Sequence, residues 1–112
     1  QDLSTRAPLN LEVAGLVHSL KNAGFTVIIV SGRSAIYVDA TRSWLAANKI
    51  PYDDLWLRDP SSHLSDAEIK RGILKEILRS WEPVLAIDDN PKTIEVWREY
   101  GIPVVRVPGW SK

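Results

Sequence analysis

The sequence predicts a three-layer α/β/α fold built on a parallel sheet. Four strand-like apolar segments alternate with four segments that carry apolar residues at helical spacing, which is typical of parallel sheets covered by helices on both faces. Two of the strand-like segments, residues 25–30 and 84–87, are continuous apolar runs, and this favours strands buried on both faces. Both runs end abruptly in polar residues. The sequence therefore also predicts a functional site at the carboxyl edge of the sheet.

The first half of the chain predicts two helices and two strands. A helix with apolar residues every three to four positions ends before Gly24, a typical helix-ending glycine. The β-branched strand 25–30 follows, and residues 31–34 are predicted to form a turn. A second helix ends near Asn48, and 55–57 is a short strand.

The second half repeats the same alternation. Ser65 and Glu68 have the spacing of a capping box, which predicts the start of a third helix that runs to about Ser80. After strand 84–87, a fourth helix begins near Pro91, since proline suits the first helical turn. It ends before a glycine at position 101, and the last strand is predicted at 103–107.

Length and composition bound the class of protein. At 112 residues, 45% hydrophobic and 25% charged, the chain is predicted to be one ordinary globular domain over residues 1–112. The zero net charge gives no global attraction to nucleic acid or membranes, and the absence of cysteine excludes disulfides and thiolate metal sites. No apolar run approaches the ~20 residues of a membrane span, so we expect an intracellular, cytoplasmic protein without a membrane partner.

Asp88 and Asp89 follow the apolar run 84–87 directly. Two adjacent carboxylates at the end of a buried strand repel each other and lose hydration, so they require a nearby positive charge. Oxygen ligands of this kind suit a hard cation such as Mg²⁺. The alternative is that one acid, or Asn90, only caps the helix that begins at Pro91, which leaves the second acid unexplained.

Three further groups stand near predicted strand ends. Ser31, Gly32 and Arg33 offer a hydroxyl, a close backbone approach and a guanidinium fork to an anion, although serine and glycine are also common in ordinary strand-to-helix turns. Arg58 closes the strand 55–57. Near the start of the third helix, Lys70 stands four residues after an aspartate at position 66, which is the spacing of either a site lysine with its partner or a surface salt bridge.

The segments VIIVSGR, DAEIK and VLAIDDN, in this order and spacing, resemble motifs II, III and IV of the haloacid dehalogenase (HAD) superfamily of phosphohydrolases. The resemblance is closer to the 3′-phosphatase domain of phage-type polynucleotide kinase-phosphatases. It adds T-R-x-W at 41–44, an arginine twelve residues before the motif III lysine, and E-x-W-R at 95–98. Roughly residues 10–107 are covered. The resemblance implies a Rossmann-like fold and Mg²⁺-dependent hydrolysis of a phosphomonoester, either a polynucleotide 3′-phosphate or a nucleotide, in nucleic-acid repair.

The resemblance also implies a role for each candidate residue. Ser31 would bind the transferred phosphoryl oxygens, and Lys70, oriented by Asp66, would neutralise the phosphoryl group and the nucleophile. The implied substrate ligands are Gly32, Arg33 and Arg58, and the implied metal ligands are Asp88 and Asp89.

The sequence departs from the family at its first motif, D-x-D-G-T, which supplies the nucleophilic aspartate and the general acid-base. The strand that carries this motif lies between the strands corresponding to 25–30 and 84–87. Three explanations stand open: the segment precedes the given chain, another chain or a swapped partner supplies the strand, or the flanking strands pair directly in a degenerate, non-catalytic domain. A strand-donating segment or a fused kinase domain is the expected protein partner. We favour the first, since the chain begins with Gln1 and contains no methionine. We expect the chain alone to be inactive.

Two other functional classes share features with this sequence. A non-catalytic HAD-like module would bind phosphate, nucleotide or a protein partner through the same residues. A response-regulator receiver also combines paired acids with a lysine on a parallel sheet. Its acid pair should close the first strand and its lysine the last, whereas here the last strand is followed by Pro108 and Gly109. The receiver is therefore disfavoured.

Overall fold

The computed structural model describes residues 11–107, with side chains from Val13 onward. In this part of the chain, helices and strands alternate as the sequence predicts, and every paired strand is parallel to its neighbour. The chain divides into two units, Gln1–Ser62 and His63–Lys112. The prediction that residues 1–112 form a single domain stays a prediction.

Unit 1 contains two helices and a two-stranded parallel sheet, with a 3₁₀ turn between the first strand and the second helix. Its elements are α1 (Leu11–Asn22), β1 (Ile28–Ser34), the turn Ala35–Tyr37, α2 (Val38–Ala47) and β2 (Asp54–Arg58). The predicted end of α1 is confirmed, because Gly24 adopts φ 94° and its N–H donates to the Lys21 carbonyl at 3.0 Å. Glycine suits this left-handed position since it has no Cβ to clash.

The strand β1 differs from its prediction at both ends. It begins at Ile28 rather than at residue 25, and it continues through Ser34, so the predicted turn at 31–34 is wrong. Val30 lies opposite Trp56 and Ser34 lies opposite Arg58, which leaves three residues of β1 facing one residue of β2. Extra residues in one strand of a pair form a bulge, and the strand stays in the sheet. Ser31 and Gly32, whose residue types also favour turns, lie in this bulge.

Unit 2 has the same helix-and-strand alternation. Its elements are α3 (Asp66–Ile77), β3 (Ala86–Asp88), α4 (Pro91–Glu99) and β4 (Val104–Arg106), with β3 and β4 parallel. The buried apolar side chains come from the inward stripes of the two helices and from the segment between α4 and β4: Ile69, Ile73, Leu74, Ile77, Ile94, Val96, Trp97 and Ile102.

The predicted caps of the unit 2 helices are confirmed. The Ser65 hydroxyl accepts a bond from the Glu68 N–H at 3.2 Å, and Pro91 stands in the first turn of α4. Asn90 caps that helix, because its Oδ1 accepts from the Lys92 N–H at 3.0 Å. Gly101 ends α4 with φ 74°. Local sequence signals therefore position both helix N-termini correctly.

The segment before β3 departs from the prediction. The third helix ends at Ile77 rather than near Ser80, and Leu78 is 40% exposed. The strand begins at Ala86, so the predicted strand 84–87 is wrong at its start, and Val84 is 61% exposed. Among the described residues β3 pairs only with β4. Burial of the run on both faces, which the sequence predicts, is therefore not observed.

A search of the helices within residues 11–107 finds none with the length and apolar character to cross a bilayer.

Candidate active site

The eight residues predicted from sequence divide equally between the two units. Ser31, Gly32, Arg33 and Arg58 belong to unit 1, whereas Asp66, Lys70, Asp88 and Asp89 belong to unit 2. All eight are half-buried rather than fully exposed.

The unit 1 residues lie toward the carboxyl end of the β1–β2 sheet. Ser31, Gly32 and Arg33 form the bulge, and Arg58 ends β2 opposite Ser34. The Ser31 hydroxyl accepts a hydrogen bond from the Arg33 N–H at 3.1 Å, which fixes the conformation of the bulge. Two guanidinium groups and a hydroxyl at one sheet end have the chemistry required to hold a phosphate.

In unit 2, the Asp88 carboxylate is bound by three N–H donors. Its Oδ1 accepts from the backbone N–H groups of Asp89 at 2.8 Å and of Asn90 at 3.1 Å. Its Oδ2 accepts from the indole Nε1 of Trp97 at 2.8 Å. All three donors are electrically neutral, so they orient the carboxylate without cancelling its charge.

Asp89 lies in an environment that disfavours its ionised form. Burial raises the pKa of its carboxyl above the ordinary 3.8, and the negative charge of Asp88 raises it further. The positive charge of Lys70 and the backbone N–H of Asp89 lower the pKa, without reversing the shift. A further cation beside the two acids would relieve both the repulsion and the lost hydration.

Lys70 is not a solvated surface lysine. Its side chain is only 12% exposed, and its Nζ lies 3.5 Å from Asp66 Oδ2, one turn earlier on α3. The same Asp66 oxygen lies 3.5 Å from Asn90 Nδ2, at the N-terminus of α4. Asp66 therefore contacts both the lysine and the residue that follows the acid pair.

The donor set of unit 2 fits a hard divalent cation. Within residues 11–107 no group of three or more His, Cys, Asp or Glu side chains is arranged to hold a metal ion. Mg²⁺ does not require such a group, since it is commonly held by one or two carboxylates and completes its octahedron with water and phosphate oxygens. Asp88 and Asp89 are two adjacent carboxylates of this kind. The N-terminal ends of α3 and α4, which meet through Asp66 and Asn90, are also favourable to an anion.

The sequence does not predict that Trp97 bonds to Asp88 or that Asn90 contacts Asp66. An asparagine before a proline predicts a helix cap, so the hydrogen bond that Asn90 Oδ1 accepts could be expected. The contact of Asn90 Nδ2 with Asp66 could not. Trp97 has a weaker signal, because a tryptophan on the inward stripe of a helix is most often only part of the core.

Residues 3–109 match the family model of the polynucleotide kinase PNKP phosphatase domain, a domain of the HAD type. The chain belongs to this family. The match confirms the predicted resemblance to the HAD superfamily and, within it, to polynucleotide kinase-phosphatases. It makes this chain a phosphatase-type module of a family named for a polynucleotide kinase.

Solved structures confirm the HAD-like α/β fold of this PNKP-family domain. One, titled "Structure of Pnkp1/Rnl/Hen1 complex", is 31% identical with a TM-score of 0.84 and covers 89% of this chain. Another, titled "Structure of the Pnkp1/Rnl/Hen1 RNA repair complex", is 33% identical, with the same TM-score and coverage of this chain. The match spans only 35% and 33% of those chains, about a third of their length. No curated protein sequence matches this chain.

Proposed function

We propose that this domain hydrolyses a phosphomonoester at a nucleic-acid end, with Mg²⁺ held by Asp88 and Asp89. The observation that carries the proposal is the acid pair itself. Asp88 is oriented by three electrically neutral donors, and the half-buried Asp89 stands beside it with a raised pKa, partly offset by Lys70. Such a pair is costly without a cation and suits one that also binds phosphate.

The substrate class is proposed as a 3′-phosphorylated polynucleotide end, with a free nucleotide as the smaller variant. The family is named for polynucleotide kinase, and one similar structure is titled as an RNA repair complex, which favours an RNA end. Both similar structures are complexes of Pnkp1 with Rnl and Hen1, so we include protein partners in the proposal.

Each residue has a defined task in this reaction. Arg33 and Arg58 bind phosphate oxygens of the substrate, assisted by the Ser31 hydroxyl and the Gly32 backbone. The Lys70 ammonium, held by Asp66, neutralises charge on the phosphoryl group. When bound, Mg²⁺ supplies further positive charge to the phosphoryl oxygens.

The covalent step requires a nucleophile outside this sequence. In the family the first aspartate of D-x-D-G-T attacks phosphorus and forms an aspartyl-phosphate, and this sequence contains no such motif. We therefore propose that the domain works together with a segment or chain that carries the motif.

Phosphate release tests the proposal. The probe is a 3′-phosphorylated RNA oligonucleotide with Mg²⁺, incubated either with the chain as given or with a version that carries a D-x-D-G-T strand before Gln1. We expect release only from the extended version, and EDTA should abolish it. No release from any version, or release that EDTA does not affect, would contradict the proposal.

A non-catalytic binding module is the second candidate function, and the missing D-x-D-G-T motif favours it. The same assay separates the two functions when binding of the oligonucleotide is also measured. A chain that binds the 3′-phosphorylated end, and shows no turnover even after the motif is restored, has the binding function.

A further inference from the structure

Trp97 makes a side-chain hydrogen bond to Asp88. Its Nε1 donates to Asp88 Oδ2 at 2.8 Å, and the tryptophan is only 6% exposed. The two residues belong to different elements, since Asp88 ends β3 and Trp97 lies in α4. The bond therefore connects a site carboxylate to the packed core of unit 2.

The two oxygens of Asp88 are held in different ways. Oδ1 accepts from the next two backbone N–H groups, a local arrangement that depends only on the turn after β3. A carboxylate held at one oxygen can still rotate about its bond to Cβ. The indole N–H holds the second oxygen and so sets the plane of the carboxylate.

Tryptophan is suited to this task because its donor is neutral and its ring is buried in the core. A lysine or arginine at the same place would also hold Oδ2, but would cancel the charge that attracts a cation. The indole N–H adds no positive charge beside the carboxylate. Partners that orient a ligand in this way tune metal affinity without touching the metal.

We propose that Trp97 is a positioning residue that fixes the Asp88 carboxylate in the orientation that binds the divalent cation. This inference rests on the proposed function, since it requires Asp88 to be a metal ligand. It assigns to Trp97 a role in the site beyond filling the core.

Calorimetric titration of the chain with Mg²⁺ tests the proposal through the variant Trp97→Phe, which keeps a large aromatic ring but removes the donor. We expect the dissociation constant for Mg²⁺ to rise about 10-fold or more. The matched control is Trp56→Phe, which removes an indole bond to Asp54 Oδ2 of 3.1 Å in unit 1. We expect that control to bind Mg²⁺ as the unsubstituted chain does.

A second control separates positioning from loss of stability. Val96 is 1% exposed and adjacent to Trp97, so Val96→Ala weakens the same core without removing the bond. We expect Val96→Ala to lower the melting temperature and to leave the dissociation constant for Mg²⁺ within about 2-fold, because Asp88 keeps its indole donor. Equal weakening of Mg²⁺ binding in Val96→Ala and Trp97→Phe would overturn the positioning role.

An NMR measurement on the unsubstituted chain needs no folded variant. The five tryptophans give five indole N–H resonances, and the Trp97 signal is expected to move on addition of Mg²⁺ while the Trp56 signal stays in place. Mg²⁺ binding with an unmoved Trp97 signal, or with unchanged affinity in Trp97→Phe, would overturn the inference alone. No Mg²⁺ binding by the unsubstituted chain would overturn the proposed cation site, and the inference with it.

Discussion

Lys70 and Asp66 form a half-buried pair at the N-terminal end of α3, with Nζ 3.5 Å from Oδ2 and the lysine side chain 12% exposed. An exposed pair one helical turn apart contributes a few tenths of a kcal/mol. This pair differs because the lysine is largely withdrawn from water and its charge reaches Asp89. The lysine is therefore held beside Asp66, and its charge acts on Asp89 of the acid pair.

Replacement of Lys70 by alanine should remove a positioned charge from the phosphoryl group. We expect kcat/KM for a 3′-phosphorylated oligonucleotide to fall at least about 100-fold in the version that carries D-x-D-G-T, as when one positioned donor is lost. The control is Lys75→Ala, an exposed lysine in the last turn of the same helix. A loss of tenfold or less at Lys70 would make it an ordinary structural residue.

Two glycines of unit 2 should respond in opposite directions to alanine. Gly101 has φ 74°, so Gly101→Ala should destabilise the fold by about 1 kcal/mol through steric strain. Gly72 lies inside α3, and the position that a Cβ would take there is open space with no atom within 4 Å. Gly72→Ala should therefore stabilise the fold by about 0.5–1 kcal/mol. Urea unfolding of both variants measures the two shifts. Shifts of the same sign would contradict the described helix end.

The Arg71–Glu99 ion pair should make stability depend on pH. It connects α3 to α4, and the hydrogen bond from Arg71 lowers the pKa of Glu99 below its ordinary 4.5. A lowered pKa in the folded state means that the contribution is present above pH 4.5 and is lost as the pH falls through the folded value.

The difference in urea midpoint between the unsubstituted chain and Glu99→Gln measures this contribution. We expect the unsubstituted chain to be more stable at pH 7, and the difference to shrink as the pH falls below 4.5. Glu95→Gln is the control, since Glu95 is exposed on the same helix and has no ion pair among the described residues. A difference that persists unchanged at pH 3 would contradict the assignment.

Much of the architecture could be predicted because it depends on local signals. Gly24 and Gly101 end helices where only glycine adopts the required φ without strain, and Ser65 caps a helix through its own hydroxyl. The alternation of elements follows from the apolar periodicity in the same way. These features need no knowledge of tertiary contacts.

The misplaced strand boundaries depend on a ladder partner that the sequence does not identify. A valine at position 84 favours a strand, because its side chain is β-branched. The first ladder hydrogen bond of β3 nevertheless runs from the Ala86 N–H to the Pro103 carbonyl at 2.9 Å. The bulge at 31–33 has a turn-like sequence, because serine and glycine are common in both bulges and turns. The ends of the partner strand decide where β3 begins and whether residues 31–33 form a bulge or a turn.

The predicted site residues differ in how much of their setting could be foreseen. The repulsion between the carboxylates of Asp88 and Asp89 could be predicted because the two residues are adjacent in sequence, and the raised pKa of Asp89 agrees with it. The bond from Trp97 to Asp88 could not be foreseen, since it depends on how α4 packs against β3. Helix-to-strand orientation is a tertiary property that spacing does not give.

Mg²⁺-dependent phosphate release by the variant Asp88→Ala tests the central claim most directly. The assay uses the D-x-D-G-T version with a 3′-phosphorylated RNA oligonucleotide, and Asp59→Ala, an exposed aspartate of unit 1, serves as the control. The account predicts that Asp88→Ala abolishes metal-dependent release while Asp59→Ala retains it. Unchanged turnover in Asp88→Ala would contradict the account and would remove the acid pair from the chemistry.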